Sequence, residues 1–283
     1  MDSTLLTGPK HARLEQRAFQ LADDIATDSL GSILYITRND ARRSMVEDRW
    51  ATEHAPLYLR AETLDTVVRE WYEQLYGPTQ LLSGQLNRRL TEYALDSTTA
   101  EADGALAGEP ASAALADSFS SRFSLFDDAG VETADALATE FERSTLDDRV
   151  ATATVDAYRQ YRKLHSDYVD EWVCTRGRMF DAVSTTGKSL STLSSELDVV
   201  ILSGYHEFRP VERRLIERLV DEFPVLALLP RHHDGRSGVD AVAEDAVDVY
   251  NTQGFETVEL EPVDQSGQTL GAITDSLYRP DPN

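Results

Sequence analysis

Two almost wholly apolar runs lie close together in the second half of the chain, at residues 197–202 (LDVVIL) and 224–229 (PVLALL). Apolar residues at consecutive positions place side chains on both faces of a strand, which is typical of a central parallel strand that is covered on both sides. Pro210 and a helical pattern at 211–222 separate the two runs. This strand–helix–strand unit predicts a parallel sheet with helices on both faces.

The same alternation occurs near the beginning of the chain. Short runs with strand character at 3–7, 32–37 and 57–59 are each followed by a helical pattern, and 255–260 has the composition of a last strand. Between them, 83–187 contains no strand signal. We therefore expect an α/β core of about five or six strands formed by 1–80 and 188–283. An all-helical insertion at 81–187 interrupts this core, and it includes a small, polar, flexible segment at 96–117.

The charge of the chain limits its partners and its environment. Asp and Glu total 50 against 27 Lys and Arg, which gives a net charge of −23, and lysine occurs only at 10, 163 and 188. An acidic chain with arginine in place of lysine is typical of a protein that works in molar salt, as in a halophilic archaeon, because a Debye length of ~3 Å screens the repulsion between carboxylates. Binding to nucleic acid through the overall charge is excluded, since that affinity requires a basic protein.

Cysteine content and hydropathy exclude further classes. Cys174 is the single cysteine, so the chain has no internal disulfide framework and no multi-cysteine metal site, and we expect no bound metal. No apolar run approaches the ~20 residues of a membrane span, and the first residues lack the charged region of a signal peptide. The sequence therefore predicts a cytoplasmic protein without a membrane partner.

The first strand-to-helix turn begins at Gly8, where a parallel α/β fold places a phosphate-binding loop. Such a loop reads GxxxxGK[ST]: its lysine neutralises the phosphates and its hydroxyl holds Mg²⁺. Here Arg13, Leu14 and Glu15 occupy the positions of the second glycine, the lysine and the hydroxyl residue. We interpret Gly8, Lys10 and Arg13 as the relic of a nucleotide loop, or alternatively as a simple turn into a helix, and we expect neither ATP nor Mg²⁺ as a cofactor.

The strand at 197–202 ends in a polar motif, Ser203-Gly204-Tyr205-His206-Glu207. Open α/β sheets bind ligands at the carboxyl ends of their strands. An ATPase would carry Asp-Glu here, to hold Mg²⁺ and to orient water, and Ser203 cannot replace a metal-binding carboxylate. His206 and Glu207 are the nearby acid–base candidates, although a capping or packing role in the loop explains His206 better.

Residues 203–219 (SGYHEFRPVERRLIERL) resemble the AddB/RexB family, the nuclease-bearing partner subunits of recombination helicase–nucleases. The order of the preceding parts resembles that family as well: a glycine-containing first loop, the strand at 33–37 with a basic helix start, and the segment at 57–64. The resemblance implies a RecA-like, P-loop NTPase-type fold of the UvrD superfamily 1 helicase kind, often with eroded ATPase motifs. It also implies a UvrD/AddA-like helicase subunit as partner. The family's nuclease residues and iron–sulfur cysteines belong to a C-terminal region that this sequence lacks.

The same resemblance implies candidate contacts to single-stranded DNA. The helix after the second strand and the loop after the third strand face DNA in helicase cores. The residues at these positions are Arg38, Arg42, Arg43, Arg60 and Thr63. Arginines that fork onto phosphates, with an aromatic residue such as Tyr58 for stacking, would suit this role. Alternatively, the arginines near the helix are paired with acidic residues of the same segment, namely Glu47, Asp48 and Glu53.

Basic and aromatic residues are interleaved at 155–180, which is unusual in so acidic a chain. They are Tyr158, Arg159, Tyr161, Arg162, Lys163, Tyr168, Trp172, Arg176 and Arg178. This composition suits a nucleic-acid or partner-docking face. A packed aromatic seam edged by arginines explains it as well.

These observations predict a helicase-like module without ATPase activity, which scaffolds an AddB-type complex for double-strand break repair or guides single-stranded DNA. Two alternatives remain open. One is a nucleotide-binding protein that uses Lys10 and Glu207 in an unconventional site. The other is a stand-alone α/β protein-interaction domain.

Overall fold

Six parallel strands form the main sheet of the computed structural model, which describes residues 3–8, 11–26, 32–38, 40–53, 58–101, 112–168, 173–231 and 237–260. The sheet strands are β1 (Thr4–Gly8), β2 (Ser32–Thr37), β3 (Tyr58–Glu62), β6 (Leu197–Ser203), β7 (Val225–Pro230) and β8 (Glu256–Glu259). Their order in the sheet is β3-β2-β6-β7-β1-β8. The predicted parallel α/β class is thereby confirmed.

Helices α1 (His11–Ala26) and α2 (Arg43–Glu53) cover one face of the sheet, and the later helices cover the other. The later helices are α3 (Leu64–Tyr76), α8 (Arg176–Thr185), α9 (Leu190–Leu193), α10 (Pro210–Glu222) and α11 (Ser237–Thr252). The chain moves along the sheet in one direction from β1 to β3 and in the opposite direction from β6 to β8. Because parallel crossovers are right-handed, the two directions place their helices on opposite faces.

The central strand β6 is buried on both faces, as its apolar run predicts. Val199 and Ile201 pack with α1 and α2, whereas Val200 and Leu202 pack with α3 and α10. All four side chains are fully buried. β6 therefore lies at the middle of the core, and its carboxyl end opens at the sheet edge where β2 also ends.

In the described part of the insertion, four helices share a hydrophobic cluster of their own. They are α4 (Gly84–Glu101), α5 (Ala113–Asp128), α6 (Ala134–Glu142) and α7 (Asp148–Tyr168). Tyr158 and Tyr161 are buried in this cluster, and their hydroxyls donate to the Val131 carbonyl and to Asn87 Oδ1. The tyrosines of the basic–aromatic segment thus form a packed seam, except for the exposed Tyr168.

The insertion differs from the prediction in three ways. Two short strands, β4 (Gln80–Leu81) and β5 (Val173–Cys174), pair in parallel at its base, so the segment is not all-helical. Helix α4 continues through 96–101 and α5 begins at Ala113, so only 102–111 of the expected 96–117 loop lies outside the described residues. Helix α8 packs in the core cluster of the sheet, so the insertion ends before the predicted residue 187.

A buried ion-pair network joins α5 of the insertion to α8 and α10 of the core. Arg176 contacts Asp128 at 3.3 Å, Glu212 at 2.7 Å and Asp65 at 2.8 Å. Arg209 also pairs with Asp128. The side chains of Asp128 and Glu212 are only 4% and 6% exposed, so both carboxylates depend on these guanidinium groups for compensation.

Helix α8 approaches the end of α5 closely at Gly177. Its N–H donates to Asp127 Oδ2 at 3.0 Å, and a Cβ on Gly177 would lie 2.3 Å from the Asp127 carbonyl oxygen. Only glycine therefore permits this packing.

No helix in the described ranges is long and apolar enough to cross a bilayer.

The Gly177→Ala substitution is expected to lower the free energy of unfolding by about 1–3 kcal/mol, because the new methyl group forces α5 away from α8. Alanine favours a helix by up to ~1 kcal/mol over glycine, and this gain is smaller than the cost of the clash. The measurement is denaturant unfolding at fixed salt. Gly187→Ala is the matched control, since a Cβ there meets no atom within 4 Å; equal stabilities of the two variants would contradict the packing argument.

Candidate functional site

A chain of hydrogen bonds crosses the carboxyl edge of the sheet from β6 to α1. The Ser203 hydroxyl is hydrogen-bonded to the hydroxyl of Tyr35, on the neighbouring strand β2, and Tyr35 donates to Glu15 Oε1 of α1 at 2.6 Å. All three side chains are buried. Glu15 stands at the position where a phosphate loop holds Mg²⁺, and Ser203 stands where an ATPase would carry a carboxylate. The Tyr35 hydroxyl links these two positions. We call these residues, with Arg42 and Arg49, the edge cluster.

Two arginines of α2 and its preceding turn neutralise Glu15. Arg42 contacts Oε1 and Arg49 contacts Oε2, each at 3.0 Å, and the Glu15 side chain is 4% exposed. Burial raises the pKa of the Tyr35 hydroxyl, and the charge of Glu15 raises it further, so Tyr35 keeps its proton and acts as the donor. The carboxylate, both arginines and the phenol are therefore committed to one another rather than to a ligand.

The described positions of the first turn, Gly8 and residues 13–15, do not have the residue types and exposure of a phosphate cradle. Leu14, at the position of the phosphate-loop lysine, is completely buried in the core. Gly8 ends β1, and a Cβ on it would lie 3.1 Å from the Leu260 carbonyl oxygen, so close packing accounts for this glycine. Arg13 is half-buried on α1, and Lys10 lies outside the described residues. The simple turn into a helix therefore explains Gly8 better than the relic of a loop does.

The polar motif after β6 is mostly structural. Gly204 has φ of +81°, a left-handed conformation that favours glycine. Tyr205 is buried, its ring stacks on Phe208 with centroids 5.9 Å apart, and its carbonyl accepts from Tyr250 Oη at 3.1 Å. His206 is half-buried and Glu207 is exposed, and the backbone carbonyl of Glu207 accepts from Arg38.

Arg38, at the end of β2, is a structural link as well as a candidate DNA contact. Its Nη2 lies 3.0 Å from Glu212 Oε2, and its guanidinium stacks on the Tyr205 ring at 4.8 Å. Its side chain is 42% exposed, so it retains access to solvent. Glu212 in turn accepts from the backbone N–H of Arg209 at 3.0 Å, which caps α10.

The remaining DNA candidates on β3 and α2 also have acidic partners. Arg43 contacts Glu62 at 2.6 Å and donates to the Ala61 carbonyl, and Arg60 pairs with Glu70. Thr63 is the N-cap of α3, where its hydroxyl accepts from the N–H of Thr66. The expectation of ion pairing is correct, but the partners are different. Glu47 instead accepts from the N–H of Ala61, and the Glu53 side chain lies outside the described part.

Sequence reasoning missed the role of Tyr35 and the partners Glu15 and Glu212. Tyr35 reads as an ordinary apolar strand residue, and nothing local reveals that its hydroxyl meets α1. A signal existed for Glu212, because it stands three residues after Arg209 with Pro210 between them, which is a helix-start pattern. The ion pairs across elements follow only from the tertiary arrangement.

The described residues contain no group of three or more His, Cys, Asp or Glu that is arranged to hold a metal ion. A scan against protein-family models finds no match, and a search of curated proteins finds no relative. The functional conclusion therefore depends on the geometry of the edge cluster and on the sequence motifs.

The Glu15→Ala substitution is expected to lower the free energy of unfolding by about 2–4 kcal/mol, because it removes the carboxylate that contacts Arg42 and Arg49 and accepts from the Tyr35 hydroxyl. The cost falls below that of a fully buried pair, since Arg42 and Arg49 are about one-third exposed. Chemical denaturation measures it. Glu15→Gln should lose less, because it keeps an acceptor for Tyr35; a Glu15→Ala protein as stable as wild type would refute the structural role.

Proposed function

We propose that this chain is a RecA-like, helicase-type module without ATPase activity, which serves as a scaffold in an AddB-type DNA double-strand break repair complex. The observation that carries the proposal is the edge cluster. Buried Glu15 stands where a phosphate loop has the hydroxyl residue for Mg²⁺, and the Tyr35 hydroxyl spans the distance from there to Ser203. A carboxylate at this place repels a triphosphate, and its arginine partners are already neutralised.

The topology supports the RecA-like assignment. Strands β1 and β6 are separated by β7 alone, and all three are parallel, so the Gly8 turn and the Ser203 motif lie at the same edge of the sheet. In open α/β sheets this edge is the ligand-binding edge. This arrangement supports a RecA-like frame in which the side chains at the edge pair with one another instead of binding a nucleotide.

Guidance of single-stranded DNA is the second part of the proposal. Arg38, Arg43 and Arg60 remain 42%, 33% and 36% exposed despite their ion pairs. The Arg60–Glu70 pair is partly exposed on both sides and contributes little to stability, so a phosphate group competes with Glu70 at small cost. Arg38 and Arg43 keep their largely buried carboxylate partners and would reach a phosphate through their exposed parts. Tyr58 lies on the same edge strand as Arg60 and is 65% exposed, which suits stacking with a base.

The test is binding of a fluorescent ATP analogue and of labelled single-stranded DNA to the purified chain at about 2 M KCl with Mg²⁺, repeated at lower salt. We expect no saturable nucleotide binding and weak DNA binding that falls as salt rises. Replacing Arg38, Arg43 and Arg60 together with glutamine should weaken DNA binding and reduce the slope of log K against log salt by about 2, since each lost phosphate contact removes about 0.7.

The matched control replaces three exposed arginines of the insertion, Arg122, Arg143 and Arg149, with glutamine, which changes the net charge equally. An equal loss in both triple variants would mean that charge alone is responsible and that no DNA path exists at the sheet edge. ATP binding that disappears in Lys10→Ala would replace this proposal with the unconventional nucleotide site. If neither ligand binds, only the scaffolding part remains, to be tested by capture of a helicase partner.

A further inference from the structure

A cavity of about 690 Å³ lies where the insertion meets the core. It is bounded by the turn after α5, by α7, by the start of α8 and by α10. Its volume is within the usual range of small-ligand sites, ~300–1,000 Å³. Four groups able to donate to an anion line it: Arg162, His165, Arg178 and Arg214. The cavity shares no lining residue with the edge cluster, so it is a separate feature of the molecule.

Two of these side chains, Arg178 and His165, can still take an additional ionic or hydrogen-bond partner. Among the described residues, no carboxylate lies within ion-pair distance of the Arg178 guanidinium, and buried Nε2 of His165 has no hydrogen-bond partner. Arg162 has only a long contact with a carboxylate, 3.5 Å to Asp127 Oδ1. Buried polar groups normally find partners, so a ligand in the cavity is a natural partner for His165.

Two of the three carboxylates that line the cavity already interact with other groups of the protein. Asp181 pairs with Arg214 at 2.8 Å. Asp127 accepts from the N–H of Gly177 at 3.0 Å and from the Thr175 hydroxyl, so its charge is held by the N-terminus of α8. Glu132 and Arg178 are both exposed, so solvent screens both charges. At His165, the charges of Arg162 and Arg178 act in the same, positive direction.

The lowered pKa of His165 agrees with positive charges close to its ring. Burial lowers the pKa of His165, and the charges of Arg162 and Arg178 lower it further, to about 4. The imidazole is therefore neutral near pH 7 and carries one N–H donor. A positive local field in a chain of net charge −23 is a specific feature of this place and not of the composition.

We propose that this cavity binds the phosphate group of a small ligand, either inorganic phosphate or a phosphate monoester. The guanidinium groups of Arg162 and Arg178 contact the phosphate oxygens, and the imidazole N–H of His165 donates to one of them. Planar guanidinium forks match the spacing of phosphate oxygens, and such charge-assisted bonds are about twice as strong as neutral ones. The ligand would lie between insertion and core, so its binding would also stabilise their packing.

The test is calorimetric titration of the full chain with inorganic phosphate and, separately, with phenyl phosphate, in about 2 M KCl at neutral pH so that weak surface binding of anions is screened. We expect saturable binding, with at least a tenfold loss of affinity in Arg178→Gln. The control Arg149→Gln, which removes an exposed arginine at the start of α7, should bind as wild type does. Tighter binding of phenyl phosphate identifies a monoester as the ligand class, and equal affinities identify free phosphate.

Histidine ring signals in the NMR spectrum provide a second readout. The signal that is absent from His165→Gln should shift in wild type on addition of phosphate, whereas the other histidine signals should stay in place. Absence of saturable binding by wild type, or equal affinity in Arg178→Gln, would overturn the proposal. Neither result bears on the nucleotide and DNA test, because the two sites have no lining residue in common.

Discussion

Arg176 holds the two parts of this molecule together. Its guanidinium contacts Asp128 at the end of α5, Glu212 on α10 and Asp65 on α3, and it stacks on the Phe180 ring at 4.2 Å. Two of its three carboxylate partners are almost completely buried. A buried carboxylate is costly without a cation, so Arg176 and the glycine that follows it contribute to the position of the helical insertion on the sheet. Truncation of Arg176 would leave Asp128 with Arg209 and Glu212 with Arg38 as their remaining cationic partners.

Charged side chains also pair with one another at the carboxyl edge of the sheet. Glu15 is paired with Arg42 and Arg49, and it accepts a hydrogen bond from Tyr35. An active site keeps polar groups available at a cost in stability, whereas at this edge the charged groups stabilise the protein by pairing with one another.

The cavity beside His165 contrasts with that edge. Here a buried imidazole nitrogen has no hydrogen-bond partner among the described residues, and two of the neighbouring carboxylates are bound by α8 and Arg214. The phosphate site proposed above therefore lies at the contact between insertion and core, away from the edge cluster.

The α/β class and the burial of β6 can be predicted from the sequence alone, because both follow from local periodicity. The absence of a GxxxxGK[ST] pattern at the first turn and the acidic composition can be read in the same way. Which charges pair follows from packing, since Glu15 and Arg49, or Asp128 and Arg176, are far apart along the chain and meet only in the folded protein. For the same reason the ends of α4 and α5 within 96–117 escaped prediction: small polar residues read as a loop, but burial of Ala116 and Phe119 in the insertion core stabilises a helix there.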